Sequence, residues 1–237
     1  MNFDKTYYLQ FITKNKFLNK INIEHDNKMI LQTNFVKFLD ITVDNTLSWK
    51  RHIDTITPKL NKACYIIRRS KLYLSHDALR MVCYAFFHSV MSYGLIFWGN
   101  STSSKCVFKL QKRAIGIMGA RNNVSCREFF KLLKILPLSA QCIYSLLMFV
   151  VNNRNLFLDN AELCTIKTRI SYNLHPPLSH LPKHQKGVHY AGIRVFNHLP
   201  TSIKSIVNET KIFKKALKRF LQDNSLYSMD KFFNFKE

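Results

Sequence analysis

Acidic side chains are the scarcest feature of this sequence: 14 aspartates and glutamates stand against 36 lysines and arginines, leaving 237 residues with a formal net charge of +22. A field of that sign attracts nucleic acid or an anionic membrane, and the chain needs a polyanion or salt to stay in solution. Glycine and proline are also sparse at six each, which argues against a disordered or an all-β chain. The six cysteines, at positions 64, 83, 106, 126, 142 and 164, form no CxxC pair. Buried reduced thiols are expected, in an intracellular compartment, nucleus or cytoplasm. Asp4 and Lys5 fall where the apolar run of a secretory signal would lie, so secretion is not expected. No GxSxG, P-loop, GxGxxG or HExxH motif occurs and no nucleophile stands beside a base, so neither a complete active site nor a small-molecule substrate is expected. Long apolar runs are missing as well, with one borderline case. Residues 81–98 carry no formal charge, which reaches the length of a membrane span, but His88, Ser89, Ser92 and Gly94 interrupt them. A buried helix followed by a turn is the better reading, and a membrane is not the expected partner; a basic protein held at a membrane surface through these residues is the alternative reading, or a remnant without function.

What is present is ample apolar material, 47% of the chain with 13% aromatic, enough for one sizeable core or two small ones. The positive charge is unevenly placed. Residues 1–50 hold seven basic and five acidic side chains, residues 51–121 twelve against two, and the remainder seventeen against seven. Period-2 and β-branched patterns predict strands at 5–13, 20–24, 28–32 and 34–43, with a turn at 25–27. From residue 48 the period becomes helical. Ile53, Ile56, Leu60, Cys64 and Ile67 form one inward face, with a kink expected at Pro58. Ser75 is read as the cap of a second helix with Leu79, Val82, Cys83, Phe86 and Val90 inward. After an aromatic segment and a polar turn at 100–104, a third helix sets Val107, Leu110, Ala114 and Met118 on one stripe. Ser125 and Glu128 form a capping box for a fourth helix through Phe129, Leu132, Leu133 and Leu136. Pro137 ends it, and Ser139 caps a fifth. Residues 152–186 read as a long arm, 188–195 as a strand, and Thr210 as the cap of a last helix with Phe213, Leu217, Phe220 and Leu221 inward. A fraying tail follows. The expected class is α+β, mostly α: a small antiparallel sheet (1–47), a helical bundle (48–152) and a mixed, loosely ordered basic C-terminal region with a terminal helix (153–237).

Three groups of residues carry chemical possibilities. On the third helix Lys105, Lys109, Lys112 and Arg113 share the helical period with no acid among them. They read either as a solvated face or as a track for phosphates. Lys214, Lys215, Lys218 and Arg219 repeat the arrangement on the last helix. His175, His180, His184 and His189 cluster, but zinc wants four nitrogen or sulfur ligands and the nearest cysteine, Cys164, lies eleven positions before the first of them. A basic, proline-rich loop accounts for them without metal. Asp40 and Asp44, four apart on a strand-like run, would share a face; without further acids they read as a solvated edge rather than a metal site.

Several short runs resemble one family in order along the chain. Phe38-Leu39-Asp40-Ile41-Thr42-Val43-Asp44, followed by Leu47, Trp49, His52 and Ile53, resembles the "FLG(I/V)x(I/L)D…LxWxxHI" passage of reverse transcriptases from insect-type, jockey-like non-LTR retrotransposons. Tyr93-Gly94 with Trp98-Gly99 is similar to "YGxxxWG", and Leu110-Gln111-Lys112-Arg113-Ala114 to "LQKRA". Cys126-Arg127-Glu128-Phe129-Phe130 with Ile135-Leu136-Pro137-Leu138 looks like "C+xLFxxLxILxL". Thr168-Arg169, Asn197-His198-Leu199-Pro200 and Phe213-Lys214-Lys215 resemble later landmarks, and Asn2-Phe3-Asp4-Lys5-Thr6 an "LNxxKT" palm motif. The resemblance implies the end of a palm, a primer-grip hairpin (Phe38, Leu39, Asp40), a helical thumb and a C-terminal region. It implies RNA or DNA as a sequence-independent partner. Mg2+ is a cofactor of the intact family enzyme, held by aspartate motifs that lie upstream in that family; no F/YxDD occurs here, so no cofactor and no polymerase activity are expected of this chain alone. Of catalytic residues, Lys5 alone matches. Two departures stand out: Asp40 replaces the hairpin glycine, and Gly116 stands where an arginine is usual.

Overall fold

The computed structural model describes residues 2–3, 6–12, 21–119, 125–160 and 173–235. Helices dominate, and a small sheet region precedes them, so the class is α+β, mostly α. Strands β1 (Tyr7–Leu9), β2 (Ile23–His25) and β3 (Lys28–Thr33) form one sheet in the order β1-β3-β2, with β1 parallel and β2 antiparallel to β3. The β2–β3 turn needs only Asp26 and Asn27, both at positive φ (49° and 56°), as a two-residue hairpin turn requires. The stretch read from its alternation as one strand over 34–43, and from the resemblance as a hairpin at Phe38, Leu39 and Asp40, is a hairpin, β4 (Phe35–Phe38) and β5 (Ile41–Asp44), paired Phe38 to Ile41 and Phe35 to Asp44. Its turn is Leu39–Asp40, at φ 46° and 63°. An aspartate tolerates that region because its short side chain finds local partners. The turn therefore forms with Asp40 in place of a glycine.

The helical part begins with α1 (Lys50–Ser70), which runs through Pro58. Asp44 builds its start: the carboxylate accepts from the backbone N–H of Ser48 (3.1 Å) and Trp49 (3.0 Å) and from the hydroxyls of Ser48 and Thr46. Asp44 is thus buried and fully used rather than a solvated edge, and Asp40, in the turn, does not share its face. Helix α2 (His76–Val82) opens on Ser75, whose hydroxyl accepts from Ala78 N–H at 3.4 Å. A π-helical segment, Cys83–His88, continues it into α3 (Ser89–Ser92). The wider π turn advances the inward face by one position: Phe87 is buried at 1% exposure while Phe86, expected inside, is 49% exposed. Tyr93 and Gly94 then turn the chain into α4 (Leu95–Trp98). Among the described residues no helix is long and apolar enough to cross a membrane.

Helix α5 (Ser104–Met118) buries Val107, Gln111, Ala114, Ile115 and Met118, with Leu110 only half covered. Helix α6 (Cys126–Leu132) starts at Ser125, whose hydroxyl accepts from Glu128 N–H. It ends earlier than the apolar run suggested: Lys134 enters the left-handed region at φ 54° and Ile135 N–H returns to Phe130 O (3.0 Å). Phe130 is therefore the inward residue and Leu132 points to solvent, 74% exposed. In α7 (Leu138–Asn152) the helix begins directly after Pro137, with Ser139 buried inside the first turn rather than capping it. This helix is apolar almost all round, as a helix covered on every side must be.

The run read as a strand at 188–195 is a helix. After α8 (Pro182–Gln185), α9 (Val188–Asn197) buries Ala191, Gly192, Ile193, Val195 and Phe196 against α7. A Cβ on Gly192 would lie 2.8 Å from Val150 Cγ2, and this close packing outweighs the β-branched preference of the sequence. Helix α10 (Thr201–Lys204) leads to α11 (Thr210–Asn224), where Glu209 holds the cap position and Thr210 is already helical. The tail does not fray through residue 235: α12 (Met229–Phe233) packs Phe232 at 1% exposure. A single apolar cluster runs from Ile53 to Phe232 around α7. No described residue from 2 to 40 is buried, and Tyr7, Phe11, Met29, Leu31, Phe38 and Leu39 lie exposed.

Candidate nucleic-acid interface

The hairpin tip is held to the helices by residues far apart in sequence. Tyr93 donates its hydroxyl to Leu39 O at 2.6 Å, and Trp98 donates its indole N–H to Tyr93 O at 3.0 Å. Gly94 sits at φ 60° and a Cβ there would come within 2.6 Å of Ile41 Cδ1, so only glycine admits the hairpin this close. From the other side His52 Nδ1 accepts the Thr42 N–H at 3.4 Å, and its ring lies 5.9 Å from that of Trp98. Burial lowers the His52 pKa, the charge of Lys59 adds to this and that of Asp40 opposes it. An acceptor at Nδ1 requires the neutral ring. Trp49 stacks on Phe97, and Arg51 lies over Phe35 at 4.4 Å. Asp40 pairs with Lys37 (2.6 Å) and Lys59 (3.9 Å); the hydrogen bond and charge of Lys37, then the charge of Lys59, lower its pKa. The tip thus exposes Phe38 and Leu39 and tethers Asp40 to two lysines.

Helix α5 displays the second group. Lys105, Lys109 and Arg113 are exposed and Lys112 is half covered, its ammonium 5.1 Å from the Phe108 ring. No carboxylate occurs on this helix, so no acid of the helix itself neutralises the row. Its position is fixed from below by Gln111, 2% exposed, whose amide donates to Leu136 O (2.9 Å) and accepts from Leu138 N–H (2.8 Å). On one flank α5 packs along α1, where Cys64 meets Leu110 O. Burial raises the Cys64 pKa, and the charges of Arg113 and Arg68 both act against that rise. Both arginines are exposed, Arg68 about one turn after Cys64 on α1 and Arg113 about one turn after Leu110 on α5. Lys214, Lys215, Lys218 and Arg219 are exposed on α11, which packs on α7 and α6. Arg219 is engaged with Asp223 at 4.0 Å, and Lys218 faces His88, whose pKa burial lowers, with Gln141 opposing and Lys218 adding to the shift.

Lys5, Cys164, Thr168 and Arg169 lie outside the described residues. Of the histidine group, His189 stacks on Phe157 with ring centres 4.7 Å apart and its Nε2 lies 3.1 Å from Leu156 O, while His184 meets Tyr190 edge-on. Among the described residues no three His, Cys, Asp or Glu side chains converge as a metal site. Sequence reasoning missed Arg68, Arg69 and Tyr65, which extend the basic surface onto α1: Arg69 Nε donates to Tyr65 Oη at 3.1 Å and its guanidinium lies over that ring. The RR pair beside an outward tyrosine was the available signal. It also missed the anchoring roles of Gln111 and His52, each a polar residue on an otherwise apolar helix face. Comparison with protein-family models, characterised proteins and solved structures gives no match.

Proposed function

We propose that this chain is the palm-end and thumb portion of a reverse transcriptase of the insect-type non-LTR retrotransposon class. By itself it holds RNA or DNA by the backbone, independently of sequence, and does not polymerise. The single observation that carries the binding half is the acid-free cationic row of Lys105, Lys109, Lys112 and Arg113 on a helix whose opposite face is locked into the core. Phosphates take such a row without base readout. The family half is supported by the way its sequence landmarks meet in space: Tyr93 on Leu39, Gly94 on Ile41, His52 on Thr42 and Trp98, and Gln111 on Leu136 and Leu138.

Among the described residues, Asp40 and Asp44 of the hairpin do not fit the Mg2+ pair of the intact family enzyme. Asp40 is spent on Lys37 and Lys59, and Asp44 on the start of α1. No step of phosphoryl transfer is therefore assigned to this chain. The test is fluorescence anisotropy with a labelled duplex of mixed sequence. Replacing Lys109, Lys112 and Arg113 together by alanine lowers affinity about tenfold or more at low salt, while primed RNA template with dNTPs and magnesium is not extended. Unchanged binding by the triple variant overturns the interface, and robust extension overturns the non-catalytic reading.

A further inference from the structure

We infer that the cleft between α9, α12 and the chain at Pro176 binds a free nucleoside monophosphate, a ligand of one flat ring system and one phosphate. The inference stands apart from the backbone-holding reading, because no residue of the cleft lies on α1 or α5. The cleft has a volume of about 320 Å³. Ligand pockets span about 300–1,000 Å³, so this one suits a single nucleotide rather than a larger molecule. Its walls are fixed before any ligand arrives. The Asn197 amide accepts from Leu174 N–H and donates to Leu174 O, both at 2.8 Å. His175 N–H reaches Leu158 O at 2.8 Å, and Pro176 follows directly, pinned beside α9. On the other side Phe232, 1% exposed, roots α12 in the core and leaves Phe233 half covered at the cleft.

The groups that face the cleft select the ligand. Arg194 is exposed on α9, with its guanidinium 4.7 Å from the centre of the Phe233 ring. Among the described residues the guanidinium meets that ring and no carboxylate or other acceptor. Its donors therefore remain for an anion, and a planar fork of that shape fits phosphate oxygens. No carboxylate lines the cleft, and the chain has no acidic residue between Glu162 and Glu209, so the local field favours an anion over a cation. Pro176, Tyr190, Ile193 and Phe233 add flat and apolar surface, which a base covers by stacking and a lone phosphate does not. His198, also at the cleft, meets Phe232 and Phe233 edge-on with ring centres 5.3 and 5.5 Å apart. Its Nε2 is buried with no hydrogen-bond partner among the described residues, a state that native proteins keep at few positions. The edge of a base carries both donors and acceptors, so it answers either tautomer of that ring.

The experiment titrates the full chain with AMP, adenosine and inorganic phosphate by isothermal titration calorimetry at about 0.15 M salt, where weak surface attraction is screened. AMP binds at a single site, and adenosine and phosphate each bind about tenfold more weakly or less, since each lacks one of the two contacts. Arg194→Ala, at an exposed position, lowers AMP affinity about tenfold or more and leaves duplex binding and the helical circular dichroism unchanged. Arg194→Lys, which keeps the charge without the fork, restores only part of the loss. AMP also raises the melting temperature of the unmodified chain, a reading that needs no variant. Changing Lys109, Lys112 and Arg113 to alanine leaves AMP binding as it was. No binding of AMP, equal affinity for AMP and phosphate, or AMP binding that survives Arg194→Ala overturns the site. So does AMP binding that disappears with the three cations of α5. Duplex binding without AMP binding removes this inference alone, and AMP binding without duplex binding removes the backbone-holding reading alone.

Discussion

Gln111→Leu isolates the contact that sets the cationic helix on the core. The glutamine amide is 2% exposed and holds both Leu136 O and Leu138 N–H, at 2.9 and 2.8 Å. Leucine is of similar size, so little cavity opens, but both backbone groups lose their partner. The segment they belong to, Ile135 to Leu138, is itself buried, so water does not replace the amide. A buried donor or acceptor left unpaired costs about 1–3 kcal/mol, which gives about 2–5 kcal/mol for the pair after partial relaxation. Against a total stability of about 5–15 kcal/mol such a loss is large. Urea denaturation followed by circular dichroism measures it, with Lys109→Ala as an exposed control expected to change stability by about 0.5 kcal/mol or less. A loss below about 1 kcal/mol for Gln111→Leu would refute the anchoring argument.

Gly116 is exposed on α5 and a Cβ there meets nothing within 4 Å, so Gly116→Ala raises stability by about 1 kcal/mol. Gly116→Arg adds a cation to the row and steepens the salt dependence of nucleic-acid binding by about 0.9 in slope. The pKa values of His52 and His88 are both lowered by burial, so the unfolded chain binds more protons than the folded one just below the ordinary histidine value. Their contribution is complete above about pH 6.5 and declines as pH falls below it. His52→Gln, which keeps an acceptor for Thr42 N–H, flattens that decline in pH-dependent urea melts; an unaltered profile would contradict the assignment. Limited proteolysis cuts β1–β4, where no described residue from 2 to 40 is buried, before the helices that share the apolar cluster from Ile53 to Phe232. Strands surviving as long as the helices would show a self-sufficient sheet.

Where one local rule decides, the sequence was legible. Ser75 and Ser125 cap helices because a serine before an amphipathic run has few other uses. The period of α1 located Ile53, Ile56, Leu60, Cys64 and Ile67 inside. The cations of α5 were found on its outward side for the same reason. Misreadings arose where tertiary contact overrides the local pattern. Val188 to Val195 has strand composition, and α7 makes it a helix by packing against Gly192. Phe86 and Phe87 exchange places because one π turn adds a residue that no period of 3.6 anticipates. The hairpin at 39–40 was hidden from the alternation reading by an aspartate and a leucine in glycine-like conformations. The tail looked loose because its docking sites lie elsewhere in the chain; Phe232 and Phe233 meet His198 edge-on. At the candidate interface, single residues were readable but their joining was not. The cations of α1 and α5 are brought near one another only because the helices pack together, with Cys64 meeting Leu110 O, 46 positions away in the chain.

The central claim is that α5 grips phosphates, and its most direct measurement is the salt dependence of duplex binding by the unmodified chain and by the variant with Lys109, Lys112 and Arg113 changed to alanine. For phosphate contacts, log K falls linearly with log salt at about 0.9 per neutralised phosphate. The account predicts a steep slope for the parent and a slope shallower by about 2–3 for the variant. A flat plot for the parent, or parallel lines for parent and variant, would contradict it.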